Sequence, residues 1–439
     1  MGRPARSDQF IPDEIAVVHA VQRCVRRAFL AGVDPVSGKD FSFRREWIRR
    51  RMEALASVFG IDVLTYAVMS NHLHLILRNR PDVVAQWSDE QAAIRWLRVF
   101  PGRRLEEHLA EPTQNDVQML VNQPERLTLI RQRLSDISWF MRALSEPIAR
   151  MANRQEECTG RFWEGRFKAL RIVDEAGLLA CSMYVDLNPV RAAMVSKPEA
   201  AIHTSAYDRY RGERGEMIDS AAFDLVPIET TAAGKEIRET PVAVLKTKRR
   251  AKKRSPTGRR IRRDDWLAPL QLDPQTLSHL PQVHTSGLRA SDKGFLQLSW
   301  RDYFELLRWT AQQAFDGVNA TVPPRLAKLL ASQGIDASMW RELVWNFKQY
   351  FGRGWNPGRC HPLFDCVRPG KLIKSVSGLA GWVSSNAVGP GGPGPRSPHG
   401  RAVSRLKLRG HRVPATSSLA AADNYISRTQ RIMNASPSR

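Results

Sequence analysis

At 439 residues, 42% hydrophobic and 25% charged, the chain is long enough for a substantial core and more than one domain. No apolar run reaches the ~20 residues that cross a bilayer, the polar N-terminus (Gly2, Arg3, Arg6, Asp8) lacks a signal-peptide core, and five cysteines are too few for a disulfide framework. Those features argue against a membrane-spanning protein and a disulfide scaffold and favour a reducing cytoplasm, while a net charge of +23 favours a polyanionic partner, most simply nucleic acid, over a basic tail on an unrelated enzyme.

After an N-terminal arm over 1–14, residues 15–210 read as a mixed α/β domain. Ala16–Val21 predicts a first strand, followed by Arg23, Arg26 and Arg27. Trp47, Met52, Leu55 and Phe59 recur near helical spacing and predict a helix over Phe43–Phe59. Strands follow over Ile61–Arg78. Within them, His72 and His74 share one face while Leu73 and Leu75 pack the other. Two neutral imidazoles side by side suit a divalent metal, but a pair lacks the third ligand of a firm site.

Pro81, Pro101, Pro112 and Pro124 break a polar stretch over 79–133 that reads as an insertion of unassigned function. A helical stripe resumes at Ile137, Met141, Leu144, Ile148 and Met151, and Pro147 is expected to start a helix or kink this one. In Gly160–Lys168, arginines and aromatics interleave with glycine. That composition can combine phosphate contacts with base stacking, and it equally suits a β-hairpin with an aromatic core face.

Asp174 predicts the N-cap of a helix running through Leu178, Leu179, Ser182 and Val185 and ending near Asn188, before Pro189. Tyr184 and Asn188, at i and i+4, share one face of it. Packed toward the histidine strand, that face would bring a phenol and a metal to one phosphate. Asn188 could then complete the ligand set, and its hard amide oxygen suits Mg²⁺ or Mn²⁺ better than a closed zinc site. The structural alternative has Tyr184 filling a core and Asn188 merely preceding a proline.

Residues 211–265 read as a basic linker. Its run from Lys246 to Arg263 carries no acidic residue, and it either touches phosphates or is simply solvated. A helical accessory domain is expected over 266–370, from stripes at Trp300, Tyr303, Leu306, Leu307 and Trp309, at Leu326, Leu329 and Leu330, and at Trp340, Leu343, Val344 and Phe347. Cys360, His361 and Cys366 make half a zinc site without a second pair and read as structural. The Gly/Pro-rich stretch after Gly389 leads to a tail over 371–439 expected to be disordered. With no Walker P-loop and no GxSxG elbow, nucleotide hydrolysis and serine-hydrolase chemistry lack a motif.

Taken in order, Tyr66–Arg78, Ile137–Arg154, Gly160–Lys168 and Met183–Val195 resemble segments of the IS200-like tyrosine transposases of the HUH class. The likeness is strongest to REP-associated tyrosine transposases, in which a YxxxNPV-type run (here Tyr184–Val190) follows a GRFWEGRFK-like segment. The resemblance covers about Ile15–Tyr210, and it implies an α+β fold with a ferredoxin-like antiparallel sheet carrying His72 and His74. It further implies Tyr184 as nucleophile, Asn188 as third metal ligand, and Mg²⁺ or Mn²⁺ as cofactor. Single-stranded or hairpin DNA is the implied partner, cut through a 5′-phosphotyrosine that leaves a 3′-hydroxyl.

In that reading Arg161, Arg166, Lys168 and Arg191 hold the DNA backbone, and Trp163 stacks bases or packs in the core. Both a homodimer with shared sites and a monomer acting in cis fit the family, as does a bacterial cytoplasmic, nucleoid-associated location. The 79–133 insertion and Pro147 depart from its pattern. A DNA-binding protein without catalysis and a phosphoesterase using metal-activated water are the alternatives.

Overall fold

The computed structural model describes residues 13–25, 30–34, 38–101, 111–222, 259–272, 283–313 and 321–347. All belong to one compact unit, Met1–Ala387. The elements in chain order are β1 (Val17–Arg23), α1 (Arg44–Ala56), β2 (Ile61–Val68), β3 (His72–Asn79), α2 (Pro81–Val84), α3 (Asp89–Val99), α4 (Gln114–Val121), α5 (Pro124–Leu134) and α6 (Ile137–Gln155). They continue with β4 (Lys168–Ile172), α7 (Glu175–Asp186), α8 (Asn188–Arg191), α9 (Ser205–Glu213), β5 (Met217–Asp219), β6 (Arg260–Arg262), α10 (Trp300–Gln312), α11 (Pro324–Ser332) and α12 (Ala337–Trp345).

The main sheet is antiparallel throughout, in the order β2-β3-β1-β4. With α1 between β1 and β2 and helices between β3 and β4, the connectivity is the split β-α-β arrangement of ferredoxin-like sheets. The molecule is therefore α+β, as expected. Both faces are covered. Val18, Ala20, Leu73, Leu75 and Leu77 point to a core shared with α1 and α6, whereas Leu64, Ala67 and Ile76 point to a second core shared with α7 and α10–α12. In β2 the register shifts between Val63 and Thr65. The extra residue is a β-bulge that puts Val63 and Tyr66 on the first face and Leu64 and Ala67 on the second.

The expected insertion folds as a helical layer on the first core. Capping boxes start two of its helices, Ser88 with Gln91 for α3 and Thr113 with Asp116 for α4, and Pro124 opens α5. Trp96, Leu97, Leu120, Leu127 and Ile130 join the core.

The structure corrects one half of the expectation at Pro147: no new helix starts there, and α6 runs on from Ile137 to Gln155. Proline offers no N–H to the carbonyl four residues back, here that of Ala143. Arg51 supplies the missing donors from α1: its Nε and Nη2 reach the Ala143 carbonyl at 3.2 and 3.1 Å. Trp163 Nε1 donates to the nearby Ser145 carbonyl at 2.8 Å. A side chain from α1 thus replaces the one donor that the backbone of α6 lacks.

Part of the stretch read as a linker is built into the fold. β5 and β6 pair with each other, and residues 223–258 between them lie outside the described residues. Trp266 is buried completely, 5.4 Å from the Tyr66 ring. Asp62 on β2 accepts from Arg78 at 2.7 Å, from Arg80, and from the Ser291 hydroxyl and backbone N–H. The helices expected as an accessory domain pack on the second face of the sheet within the same unit. Cys360, His361, Cys366 and the expected tail over 371–439 lie outside the described residues. No described helix is long and apolar enough to cross a membrane.

Candidate active site on the histidine face of the sheet

The first residue of β3 is His72, and its alternation turns His72, His74 and Ile76 to the second face. Opposite them on β1 stand Arg23, Val21 and His19, in that order. Directly paired residues of an antiparallel ladder share a face, so His19 belongs to the same surface. The His72 and His74 rings lie 4.8 Å apart, edge to face.

Helix α7 crosses this surface. Asp174 caps it by accepting from the Gly177 N–H, as its sequence predicts. Every residue from Gly177 to Asp186 is buried, because the helix is sandwiched between the sheet and α12. Tyr184 is 0% exposed, and its ring stands edge-on to His74 at 5.6 Å and to His19 at 6.0 Å. Pro189 cannot donate to the α7 backbone, so the helix stops at Asp186 and a new turn, α8, begins at Asn188. Asn188 Nδ2 donates to the Tyr184 carbonyl at 2.9 Å, which commits the amide nitrogen to the helix and leaves Oδ1 as its hard donor.

Past α12, the Phe347 ring stacks on Tyr184 at 4.9 Å and meets His19 edge-on at 6.0 Å. Arg191 places its guanidinium 4.7 Å over the Tyr184 ring and donates to the Trp345 carbonyl at 2.6 Å. Burial raises the Tyr184 phenol above its ordinary pKa, and the Arg191 cation opposes that shift. Among the described residues the phenol oxygen finds no hydrogen-bond partner at normal length, although Arg191 and Asn188 stand near enough to influence its ionisation. Two residues along, Asp186 accepts from Ser205, Ala206 and Tyr303, and burial pushes its carboxyl up to about 6.

No family model matches the chain, and no curated protein matches it. A solved structure described as a REP-associated tyrosine transposase bound to a REP hairpin is similar at 13% identity and a TM-score of 0.29, over 54% of this chain and 100% of that one. At that level of similarity, function is argued from the residues of this chain.

The structure brings His72, His74 and Tyr184 together and places Asn188 one helical turn from the phenol. The five expected DNA contacts divide. Arg161, Arg166 and Lys168 are exposed, and Lys168 stands in one cross-strand row with Val21 and His74, on the histidine face. At ~4.8 Å per strand, that row sets Lys168 about 10 Å from His74. Trp163 is buried in the first core against Phe162, with its N–H committed to Ser145, so its ring is core and not a stacking surface. Arg191 turns inward onto Tyr184 and Trp345.

Sequence reading missed His19, Arg23 and Phe347 as members of this surface. The period-two run Val17, His19, Val21, Arg23 was visible. The register that sets Arg23 opposite His72 was not.

Two imidazoles and an amide oxygen suit an open divalent site that takes its remaining oxygens from water or phosphate. His72 fits such a role. Its Nδ1 lies 2.5 Å from Asn71 Oδ1, which can only accept, so the ring proton sits on Nδ1 and the lone pair on Nε2. Among the described residues no three His, Cys, Asp or Glu side chains converge as a closed metal set.

Proposed function

We propose that this chain is a metal-dependent single-stranded DNA endonuclease and strand transferase of the transposase type, acting at hairpin or REP-like DNA. The observation that carries this reading is the Tyr184 phenol held edge-on at 5.6 Å to one histidine of a pair whose members share one sheet face. A phenol and two imidazoles at one point, with exposed cations on the same surface, is a donor set for cutting a phosphodiester.

In this reading His72, His74 and the Asn188 amide oxygen hold Mg²⁺ or Mn²⁺. When bound, that ion offsets the charge that develops on the phosphate. Tyr184 Oη attacks phosphorus, the P–O3′ bond breaks, and the leaving 3′ oxygen takes a proton. The products are a 5′-phosphotyrosine and a free 3′-hydroxyl. A 3′-hydroxyl attacking the same linkage restores the phenol and rejoins DNA without an external energy source. Lys168, Arg161 and Arg166 hold the backbone. With Tyr184 fully buried beneath Phe347 and Arg191, substrate reaches it only when side chains packed on the ring move aside.

That same burial favours a second reading, a DNA-binding protein of this fold without catalysis. The test is labelled single-stranded DNA bearing a REP-like hairpin, incubated with Mg²⁺ or Mn²⁺ and resolved on a denaturing gel. A protein–DNA adduct lost in both Tyr184→Phe and His72→Ala supports the nuclease. Cleavage that survives Tyr184→Phe without an adduct means metal-activated water. Tight binding with neither adduct nor cleavage leaves the binding protein.

A further inference from the structure

Beyond the two histidines of the pair, a third lies at the same place. His19, on β1, is 6% exposed, and its Nε2 is 2.9 Å from His74 Nδ1, with the two rings nearly parallel at 16°. It is not a third ligand, because the nitrogen it turns to the site is spent on His74. The consequence lies in where the proton sits. An N···N hydrogen bond between neutral imidazoles holds one proton, so one ring donates and the other accepts. If His19 donates, His74 accepts at Nδ1 and carries its own proton on Nε2, which closes that nitrogen to a cation. If His19 accepts, the His74 proton lies on Nδ1 and Nε2 presents a lone pair.

His72 meets the same requirement through Asn71, whose amide oxygen can only accept. His19 occupies the equivalent place beside His74. The Phe347 and Tyr184 rings both meet His19 edge-on at 6.0 Å.

We propose that His19 is a positioning residue of the metal site: it accepts the His74 Nδ1 proton and so holds His74 with Nε2 open to a divalent cation. The proposal rests on the reading of His72, His74 and Asn188 as a metal site. Outer partners of metal-bound histidines typically contribute about 10–100-fold in affinity.

The test is Mn²⁺ binding to the full chain without DNA, followed by the electron paramagnetic resonance signal of free Mn²⁺. The parent is compared with His19→Phe, which keeps a ring and loses the acceptor, with His19→Gln, whose amide oxygen restores one, and with His74→Ala. Melting temperatures in chelator report on folding. The expected result is a ~10–100-fold weaker Mn²⁺ affinity in His19→Phe, affinity near the parent's in His19→Gln, and melting temperatures alike.

Equal affinity in His19→Phe and the parent, with binding lost in His74→Ala, overturns the positioning role and leaves the metal site standing. Equal losses in both His19 variants also overturn it, since the acceptor would then be irrelevant. A parent that binds no Mn²⁺, or binding that survives His74→Ala, sinks the metal reading itself. Should His19→Phe melt lower, the imidazole ¹⁵N spectrum of the Mg²⁺-loaded parent decides. A proton on His74 Nδ1 supports the proposal, and one on Nε2 refutes it.

Discussion

Burial pushes the His203 imidazole down to about 4, with Glu46 at 3.7 Å opposing the shift and Arg45, Arg49 and Arg263 adding to it. The sign follows from linkage. Near its ordinary pKa of ~6.5 the unfolded chain takes a proton that the folded chain refuses. Stability is therefore full above pH 6.5 and is lost as pH falls toward 4. Asp186, raised to about 6, acts oppositely, adding stability as pH falls through 6, so only a difference between parent and variant isolates His203. Urea unfolding at pH 7 and 4.5 should show His203→Gln losing less stability than the parent, by on the order of 2–3 kcal/mol. Identical losses would refute the assignment. At this scale the chemistry of a residue is legible in its type, and its burial is not. Trp163 is the same indole whether it stacks on DNA or fills a core, and only its packing against Phe162 and its bond to Ser145 decide.

Elements are held by groups that are remote in sequence, and α6 shows this most directly. Arg51→Ala should cost about 1–3 kcal/mol, the penalty of leaving the buried Ala143 carbonyl unsatisfied. In a Pro147→Ala background residue 147 recovers its N–H, so Arg51→Ala should cost less there. A double-mutant cycle by urea unfolding measures this coupling, and strict additivity would contradict it. The turn after α12 makes a second case. Phe347→Ala removes the ring stacked on Tyr184 and should raise the rate of adduct formation on hairpin DNA, with hairpin affinity little changed. A rate equal to or below the parent's would show that Phe347 does not obstruct the phenol. The helices themselves were readable from capping residues and apolar stripes. The persistence of α6 through Pro147 was not, because the compensating donor comes from Arg51 on α1.

For the whole molecule, the proposed binding to DNA should weaken as salt rises, with a slope set by the number of phosphates contacted. For single strands, log affinity falls against log salt by roughly 0.7 per phosphate contact. Replacing exposed Arg161, Arg166 and Lys168 together by Gln should flatten that slope by up to ~2, measured by fluorescence anisotropy between 50 and 200 mM NaCl. An unchanged slope would place the DNA elsewhere. The same scale explains why the described residues between 266 and 347 belong with the sheet. Trp266 packs on Tyr66 in the first core, Ser291 satisfies Asp62 of β2, and Tyr303 donates to Asp186 of α7, which itself crosses the second face.

The sequence by itself determined the alternation that puts His72 and His74 on one face, the helical spacing that joins Tyr184 to Asn188, the cap at Asp174 and the basic balance. Each depends on neighbours within a few residues, where backbone periodicity fixes direction. Tertiary structure alone decided that α7 crosses the histidine face and that His19 reaches His74. It also decided that Arg191 and Phe347 close over Tyr184 and that Trp163 is core. Those facts depend on strand register and on packing between segments far apart in the chain, and local periodicity carries no information about either.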